Sequence, residues 1–247
     1  MNPSRASLES QLKGAPCPVE DTEEIFWLRQ GDDYQSRVLL GDKLCGQYRF
    51  RQALEAYRAA ARIRDDQPDL FVRLGGAHLT LFHFPEAKAA YDRSAALGAG
   101  AKALSYPLGV WHYLQGRYHE AAAYFAAVLP CGDEMRIAAL YWHALSCLRG
   151  HLPDPLLDSY HPTMQVGHHE AYRATVEVFL GLQDAGALAK EAEGMGDLDA
   201  VVALYGLCVH LEATGRTGFP ALRAALLARA AAWPCISYLA AWNDAAQ

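Results

Sequence analysis

Four histidines lie close together in the second half of the chain, in a segment rich in helix-breaking prolines. They are His151, His161, His168 and His169, and Glu170 follows directly. Imidazole and carboxylate groups are ligands that Zn²⁺ accepts in proteins. Their spacings match no standard zinc motif, however, and a polar loop collects histidine easily. A metal-dependent enzyme that uses the segment from His151 to Glu170 therefore stays open as an alternative function, but we predict no metal-ligand set.

Other catalytic patterns are incomplete. His119 and His169 are each followed by glutamate, as in the His-Glu-x-x-His helix of zinc peptidases, but neither pair has the second histidine. Residues 98–102 resemble a phosphate-binding loop, but the glycine spacing is wrong and no predicted strand precedes them. A Gly-x-Ser-x-Gly nucleophile motif does not occur. We therefore predict no catalytic residues, no cofactor and no enzymatic activity.

Composition and charge narrow the class of protein further. The net charge of −6 opposes nucleic-acid binding, because such binding depends on neutralising phosphates. Arg51, Arg58 and Arg62 form a basic stripe at helical spacing, which fits a solvated helix face better than an anion site. No apolar run is long enough to span a bilayer, and the N-terminus lacks the apolar core of a signal peptide. The six cysteines, Cys17 among them, show no Cys-x-x-Cys pairing, so we expect a cytoplasmic protein.

The dominant pattern is a 34-residue repeat, which indicates how the chain is organised. Five columns recur in register: Leu40, Leu74 and Leu108; Gly41, Gly75 and Gly109; Phe50, Phe84 and Tyr118; Ala53, Ala87 and Ala121; Tyr57, Tyr91 and Phe125. Within each copy, the apolar residues follow helical spacing on two successive segments. We therefore predict pairs of helices that touch at the glycine and the alanine, with the leucine and the last aromatic residue beside them.

This pattern resembles the tetratricopeptide repeat family in the small residue of the first helix, the alanine of the second helix and the aromatic residue after it. The chain departs from the family at two slots. The leading tryptophan is replaced by Arg37, Phe71 and Ser105, and the terminal proline by Asp65, Ala99 and Asp133. The resemblance implies an all-α, right-handed superhelical solenoid of antiparallel helix hairpins, with three repeats over residues 34–133.

The remaining segments are predicted to be helical as well. Residues 1–33 form an N-terminal segment with a capping helix near Glu23–Leu28, which would shield the end of the repeats. Residues 134–247 form a divergent helical continuation of degenerate hairpins. We place its helices at about 136–148, 169–183, 185–193, 197–213, 219–233 and 235–245, with a short helix at 156–160.

The resemblance also implies a function, because such repeats use the inner face of their first helices to hold a peptide or a helix. By repeat register, the peptide-binding groove consists of Val38, Asp42, Cys45, Asp69, Val72, Gly76, Leu79, Lys102, Tyr106, Val110 and Tyr113. These types do not suit a clamp for a C-terminal carboxylate, so we expect an apolar polypeptide segment as partner. The chain's own terminal helices are the alternative occupant, and a homo-oligomer stays open.

We therefore predict a protein–protein interaction scaffold or adaptor. A secretion-type or assembly chaperone for a hydrophobic client is the alternative. His78 and His112 occupy one slot in consecutive repeats and are expected to be interior residues with hydrogen-bond partners.

Overall fold

The computed structural model describes residues 7–15, 19–129 and 131–246, and these residues form helices joined by turns and loops. Within those residues there are α-helices, two short 3-10 helices and turns, but no strand, which confirms the all-α fold class. None of these helices combines the length and the apolar character that a bilayer crossing requires. Two compact units are formed, Met1–Leu104 and Ser105–Gln247. Cys17 and parts of the N-terminal segment lie outside the described residues.

The first unit is built from hairpins. Its helices are α1 (Leu8–Lys13), α2 (Glu23–Gln30), α3 (Tyr34–Gly46), α4 (Phe50–Ile63), α5 (Pro68–Thr80) and α6 (Phe84–Ala96). Asp33 caps α3, because its side chain accepts a hydrogen bond of 3.0 Å from the Ser36 amide. Pro68 begins α5 at a position where proline is tolerated. Helix α3 packs on α4, α4 on α5, and α5 on α6.

Each of three hairpins closes where a glycine of its first helix meets an aromatic ring of its second. The pairs are Gly41 with Tyr57, Gly75 with Tyr91, and Gly109 with Phe125. A Cβ atom added to Gly75 would lie only 2.5 Å from Cδ1 of Tyr91. A side chain at this slot would therefore push the two helices apart, which confirms that the recurring glycine has a packing reason. The repeated alanines, Ala53, Ala87 and Ala121, are fully buried beside these contacts.

The turn inside each hairpin has the same backbone conformation in all three copies. Tyr48, Phe82 and Gly116 are 34 residues apart and have φ angles of 62°, 58° and 71°. Their amides donate to the carbonyls three residues earlier, at 2.9, 3.0 and 3.0 Å. Left-handed backbone is uncommon for tyrosine and phenylalanine, so the hairpin geometry imposes it there. The 34-residue period is thus a period of conformation as well as of sequence.

The N-terminal segment forms a helix where the sequence predicts one. Helix α2 packs on α3 and buries Ile25, while the Asp21 carboxylate accepts hydrogen bonds from Arg29 and pairs with Arg49 at 2.6 Å. Ion pairing with these two guanidinium groups lowers the pKa of Asp21. The predicted apolar cluster of α2 therefore buries only one of its large side chains against the first hairpin.

The second unit surrounds one central helix. Its elements are most of α7 (Ala101–Tyr113), α8 (Tyr118–Ala126), α9 (Asp133–Gly150), a 3-10 helix (Pro155–Ser159), α10 (Glu170–Phe179), α11 (Ala185–Gly194), α12 (Asp197–Ala213), α13 (Phe219–Leu227), a 3-10 helix (Ala230–Ala232) and α14 (Ile236–Ala245). Helix α12 contacts α9, α10, α11, α13 and α14, and residues 200–209 are all buried. This helix is therefore apolar on every side.

Two helices are shorter than predicted. Helix α10 ends at Phe179 instead of residue 183, because Gly181 takes a left-handed conformation with φ 72°. Helix α13 ends at Leu227 instead of residue 233. Beyond that end, the guanidinium of Arg229 donates to the carbonyls of Ala192 and Met195 at 2.9 and 3.1 Å. The side chain thereby holds the chain onto the C-terminal end of α11, and residues 230–232 form a separate turn.

Candidate functional site

On α3, the predicted groove positions are partly occupied by contacts within the first unit. Val38 is buried. The Asp42 carboxylate accepts a hydrogen bond of 2.6 Å from the Tyr57 hydroxyl and one of 3.0 Å from Nε of Arg73. Cys45 lies 3.6 Å from the same hydroxyl, and burial raises the pKa of its thiol to about 11. Burial therefore favours the neutral thiol, which opposes a nucleophilic role for Cys45.

On α5, the corresponding positions are more accessible. Asp69 is exposed, Val72 and Gly76 are half-buried, and Leu79 is buried. A Cβ atom added to Gly76 would meet no side chain, and no backbone from another segment, within 4 Å. The repeat register predicts that Asp42, Asp69, Val72 and Gly76 face one groove, and we name these four residues the inner face of the first unit. It offers an aliphatic side chain, accessible helix backbone and two carboxylates.

On α7, the predicted groove positions differ between the start of the helix and its end. Lys102 is exposed and Tyr106 half-buried, whereas Val110 and Tyr113 are only 1% and 3% exposed. The Tyr113 hydroxyl lies 3.0 Å from that of Tyr205 on α12. Its ring meets Trp142 of α9 edge-on, with the centroids 5.1 Å apart. Within the second unit, the chain's own helices therefore cover this end of α7.

Two large aromatic side chains of α2 face solvent. Phe26 is 51% and Trp27 63% exposed, and their rings meet edge-on with centroids 5.4 Å apart. An exposed tryptophan next to an exposed phenylalanine forms an apolar patch of the kind found at interaction sites. The pair is therefore a second candidate contact surface of the first unit.

The basic stripe borders a cavity of about 440 Å³ in the first unit, lined by Arg51, Arg58, His78, His83 and Glu86 among others. Arg51 is already engaged, since its guanidinium donates to the backbone carbonyls of Gln11 and Leu12 at the end of α1. Glu55 and Glu86 bring negative charge to the same lining. The cavity is therefore of mixed charge and does not favour an anion.

His78 and His83 form a hydrogen-bonded pair at that cavity. Their Nδ1 atoms lie 3.3 Å apart, so one ring donates and the other accepts. Burial, helped by the charge of Arg58, lowers the pKa of His78 to about 4, and burial also lowers that of His83. This confirms that His78 is an interior residue with a hydrogen-bond partner. His112 is buried too, and its ring stacks on Tyr124.

The four histidines of the predicted segment do not lie together in the structure. The ligand atoms of His168, His169 and Glu134 lie within 4.8 Å of one another, but both Glu134 and His168 are exposed. His161 instead contacts the hydroxyl of Thr163 at 3.0 Å. His151 is exposed at the end of α9 and does not belong to this group. Only two of the four histidines therefore share a location.

The structure brings together a buried group that the sequence did not predict, formed by α9 and the segment that follows it. His143 and Cys147 are one turn apart on this helix, and Asp154 precedes the 3-10 helix that follows it. Nδ1 of His143 lies 2.9 Å from Oδ1 of Asp154 and 3.6 Å from Sγ of Cys147. Burial raises the pKa of the Cys147 thiol to about 12. The i, i+4 spacing of His143 and Cys147 is visible in the sequence, but the proximity of Asp154 is not.

The second unit also contains a partly buried charge network. Nη2 of Arg149 lies 2.5 Å from the Asp244 carboxylate of α14, and Nη1 lies 3.0 Å from Glu212 of α12. Tyr205 donates to the same oxygen of Asp244 at 3.2 Å. These contacts tie α9, α12 and α14 together, and we assign them to stability.

Comparison with known proteins gives no family. No protein family model matches this chain. No curated protein matches it either.

Proposed function

We propose that the protein binds another polypeptide on the inner face of the first unit and acts as an interaction scaffold or adaptor. The three hairpins are, in this proposal, tetratricopeptide-like repeats, and the hairpins α3–α4 and α5–α6 are stacked as in a right-handed solenoid. The shared turn conformation and the three glycine–aromatic contacts support this. Stacked helices are preorganised, so little conformational entropy is lost when a segment binds.

One observation carries the proposal: Gly76 and Val110 occupy equivalent positions 34 residues apart, but only Val110 is covered. Val110 and Tyr113 on α7 are buried by helices of their own unit. On α5, Gly76 is half-buried with open space beside it, and Val72 is half-buried as well, whereas Leu79, the equivalent of Tyr113, is buried. In the second unit, the chain's own helices therefore cover Val110 and Tyr113. The inner face of the first unit stays available for a partner.

The residues of this face indicate the chemistry of the partner. Val72 and the backbone at Gly76 suit an apolar side chain, which can approach the helix closely because Gly76 has no Cβ. Asp42 is paired with Arg73 at 3.0 Å, whereas Asp69 is exposed. The exposed carboxylate of Asp69 opposes a C-terminal carboxylate and favours a basic residue next to the apolar one. We propose a segment with an apolar anchor and an adjacent lysine or arginine.

Selection from a random peptide library displayed on phage tests this function. Peptides enriched on the purified chain are synthesised, and their affinities are measured by fluorescence anisotropy for three proteins. We expect Val72→Glu to weaken binding at least about 10-fold, which is about 1.4 kcal/mol, because a charge replaces the apolar contact. The matched control Ala89→Glu, on an exposed position of α6, should bind like the wild type. Equal binding by both variants, or no enriched peptide, would contradict the proposal.

The exposed pair Phe26 and Trp27 favours the chaperone form of the same proposal, in which the client is hydrophobic. A chaperone for such a client would suppress the aggregation of an unfolded apolar protein at stoichiometric amounts. The double variant Phe26→Ser with Trp27→Ser should then lose this suppression, whereas Val72→Glu should retain most of it. The reverse ranking would assign client binding to the inner face alone.

A further inference from the structure

A buried set of three metal-ligating side chains lies at the C-terminal end of α9. His143 and Cys147 are both buried and face the same side of the helix, since residues four apart are neighbours on a helix surface. The third member, Asp154, belongs to the segment that follows the helix. One ligand atom from each residue lies within 4.8 Å of the other two.

The end of the helix explains why Asp154 is so close. His151 takes a left-handed conformation, with φ 53° and ψ 42°, and thereby reverses the chain. The Leu152 amide then donates to the carbonyl of Cys147 at 2.9 Å, which lays the following residues back along the last turn. Pro153 and Pro155 restrict the backbone on both sides of Asp154. The local fold therefore presents the carboxylate to the helix.

The distances within the group resemble those between zinc ligands. With ordinary bond lengths, a tetrahedral zinc centre separates sulfur from nitrogen by about 3.6 Å and nitrogen from carboxylate oxygen by about 3.4 Å. The Sγ–Nδ1 distance is 3.6 Å. The Nδ1–Oδ1 distance is 2.9 Å, as expected when a hydrogen bond takes the place of the ion. The observed Nδ1–Oδ1 separation is therefore shorter than the one around an ion by about half an ångström.

Asp154 has coordination capacity to spare. Its Oδ1 atom contacts His143 and also accepts a hydrogen bond from the Leu156 amide at 3.2 Å. Its Oδ2 atom is buried and has no hydrogen-bond partner among the described residues. A buried carboxylate oxygen without a donor is costly, and a cation would satisfy it. Oδ2 can bind an ion while Oδ1 continues to cap the 3-10 helix.

We propose that His143, Cys147 and Asp154 form a binding site for one divalent transition-metal ion of the zinc type. Ionised cysteine and aspartate with a neutral histidine balance a charge of +2, so the occupied site is electrically neutral inside the unit. Three protein ligands leave the fourth tetrahedral position for water. Since Sγ lies 3.6 and 3.9 Å from the two ring nitrogens, it lies beside the ring, and binding requires a rotation of the His143 ring or of the Cys147 side chain.

The surroundings oppose a nucleophilic role for Cys147. A reactive cysteine needs a thiolate stabilised by nearby positive charge, whereas Cys147 is desolvated next to a carboxylate. The surface group of Glu134, His168 and His169 has the same number of potential ligands but is largely exposed. It therefore serves as the internal comparison for the buried site.

Titration of the reduced, tag-free chain with Co²⁺ tests the proposal. We expect one ion per chain, with visible bands of four-coordinate cobalt and a thiolate-to-cobalt charge-transfer band in the near ultraviolet. Zn²⁺ should displace the cobalt and abolish the bands. A saturated sample without the thiolate band would overturn the proposal.

Three variants locate the ion. Cys147→Ala should remove the charge-transfer band, and Asp154→Asn should lower Zn²⁺ affinity at least about 10-fold, the lower end of what losing even a supporting group costs. Asparagine caps as well as aspartate, so Asp154→Asn should fold even where the cysteine variant does not. The control, His168→Ala with His169→Ala, should bind like the wild type. Binding that depends on these two histidines and not on Cys147 or Asp154 would assign the ion to the surface and refute the buried site.

Discussion

Replacement of Gly75 by alanine tests the packing of the hairpins more sharply than any other single change. The added Cβ would lie 2.5 Å from Cδ1 of Tyr91, and closer still to Cε1, whereas ordinary contacts begin near 3.4 Å. Tyr91 is 1% exposed, so its ring has no room to withdraw. The two helices of the hairpin must therefore separate, or the ring must leave its rotamer.

The magnitude follows from two opposing effects. Overpacking in a close-packed core costs about 1–3 kcal/mol, and an overlap this deep belongs at the upper end. Alanine is favoured over glycine inside a helix by about 1 kcal/mol. We therefore expect Gly75→Ala to destabilise the protein by about 2 kcal/mol.

The neighbouring residue supplies the control. Gly76 lies in the same helix, but an added Cβ there meets open space, so Gly76→Ala should stabilise the protein by about 0.5–1 kcal/mol. Urea unfolding followed by circular dichroism measures both variants. A Gly75→Ala protein as stable as Gly76→Ala would refute the glycine–aromatic packing. In a Tyr91→Leu background, the cost of Gly75→Ala should largely disappear, because the ring that it meets is gone.

Three further predictions concern burial and charge. The pKa of His78 falls from 6.5 to about 4 on folding, so the stability that neutral His78 contributes is present above pH 6.5 and lost as the pH falls toward 4. The loss amounts to about 3 kcal/mol. As the pH falls toward 4, the free energy of unfolding of the wild type should therefore decrease by this amount relative to that of His78→Gln. Arg149→Ala removes a partly buried guanidinium from Asp244 and Glu212, although Arg223 still lies 3.8 Å from Glu212, and should destabilise the second unit by up to about 3 kcal/mol, measured by guanidinium unfolding. Val110→Glu should destabilise by at least about 3 kcal/mol, because it buries an unpaired charge, whereas Val72→Glu should cost less than about 1 kcal/mol at its half-exposed position.

Each of these predictions has a result that would contradict it. An unchanged pH dependence in His78→Gln would show that this residue does not titrate in the window. The control for Arg149→Ala is Arg216→Ala, at an exposed position, which should change the free energy of unfolding by no more than about 0.5 kcal/mol. Equal effects of the two substitutions would show that the contacts of Arg149 do not stabilise the second unit. If Val72→Glu proved as damaging as Val110→Glu, the inner face of the first unit would not be open.

The repeat could be predicted from the sequence because its packing requirement acts at single positions. Only glycine fits against Tyr57 and Tyr91, so the column of glycines marks the contact itself. The turn between the two helices of a hairpin has no comparable sequence signal. Tyr48 and Phe82 take the conformation that Gly116 takes in the third copy, and neither residue type indicates left-handed backbone.

What covers a helix face could not be predicted in the same way. Periodicity specified that Gly76 and Val110 occupy equivalent positions, but the cover over α7 comes from distant parts of the chain. Tyr113 meets Tyr205, and the Asn243 side chain donates to the carbonyl of Leu114 at 2.9 Å. No local pattern encodes such long-range contacts.

The group of His143, Cys147 and Asp154 could not be predicted for a related reason. His143 and Cys147 follow helical spacing, but they lie among apolar residues that are typical of a core helix. Asp154 joins them only because the chain reverses at His151, a non-glycine residue with φ 53°. By contrast, the four histidines after Gly150 are close in the sequence, but the fold separates His151 and His161 from the other two.

Photo-crosslinking tests the central claim, that the inner face of the first unit holds a polypeptide. A photoreactive phenylalanine analogue is placed at Val72 or, in the control protein, at Ala89, and each is irradiated with a labelled peptide selected on the wild-type chain. The account predicts a covalent peptide adduct at position 72, prevented by excess unlabelled peptide, and none at position 89. Adducts of equal yield at both positions, or none at position 72 with a peptide that still binds, would contradict it.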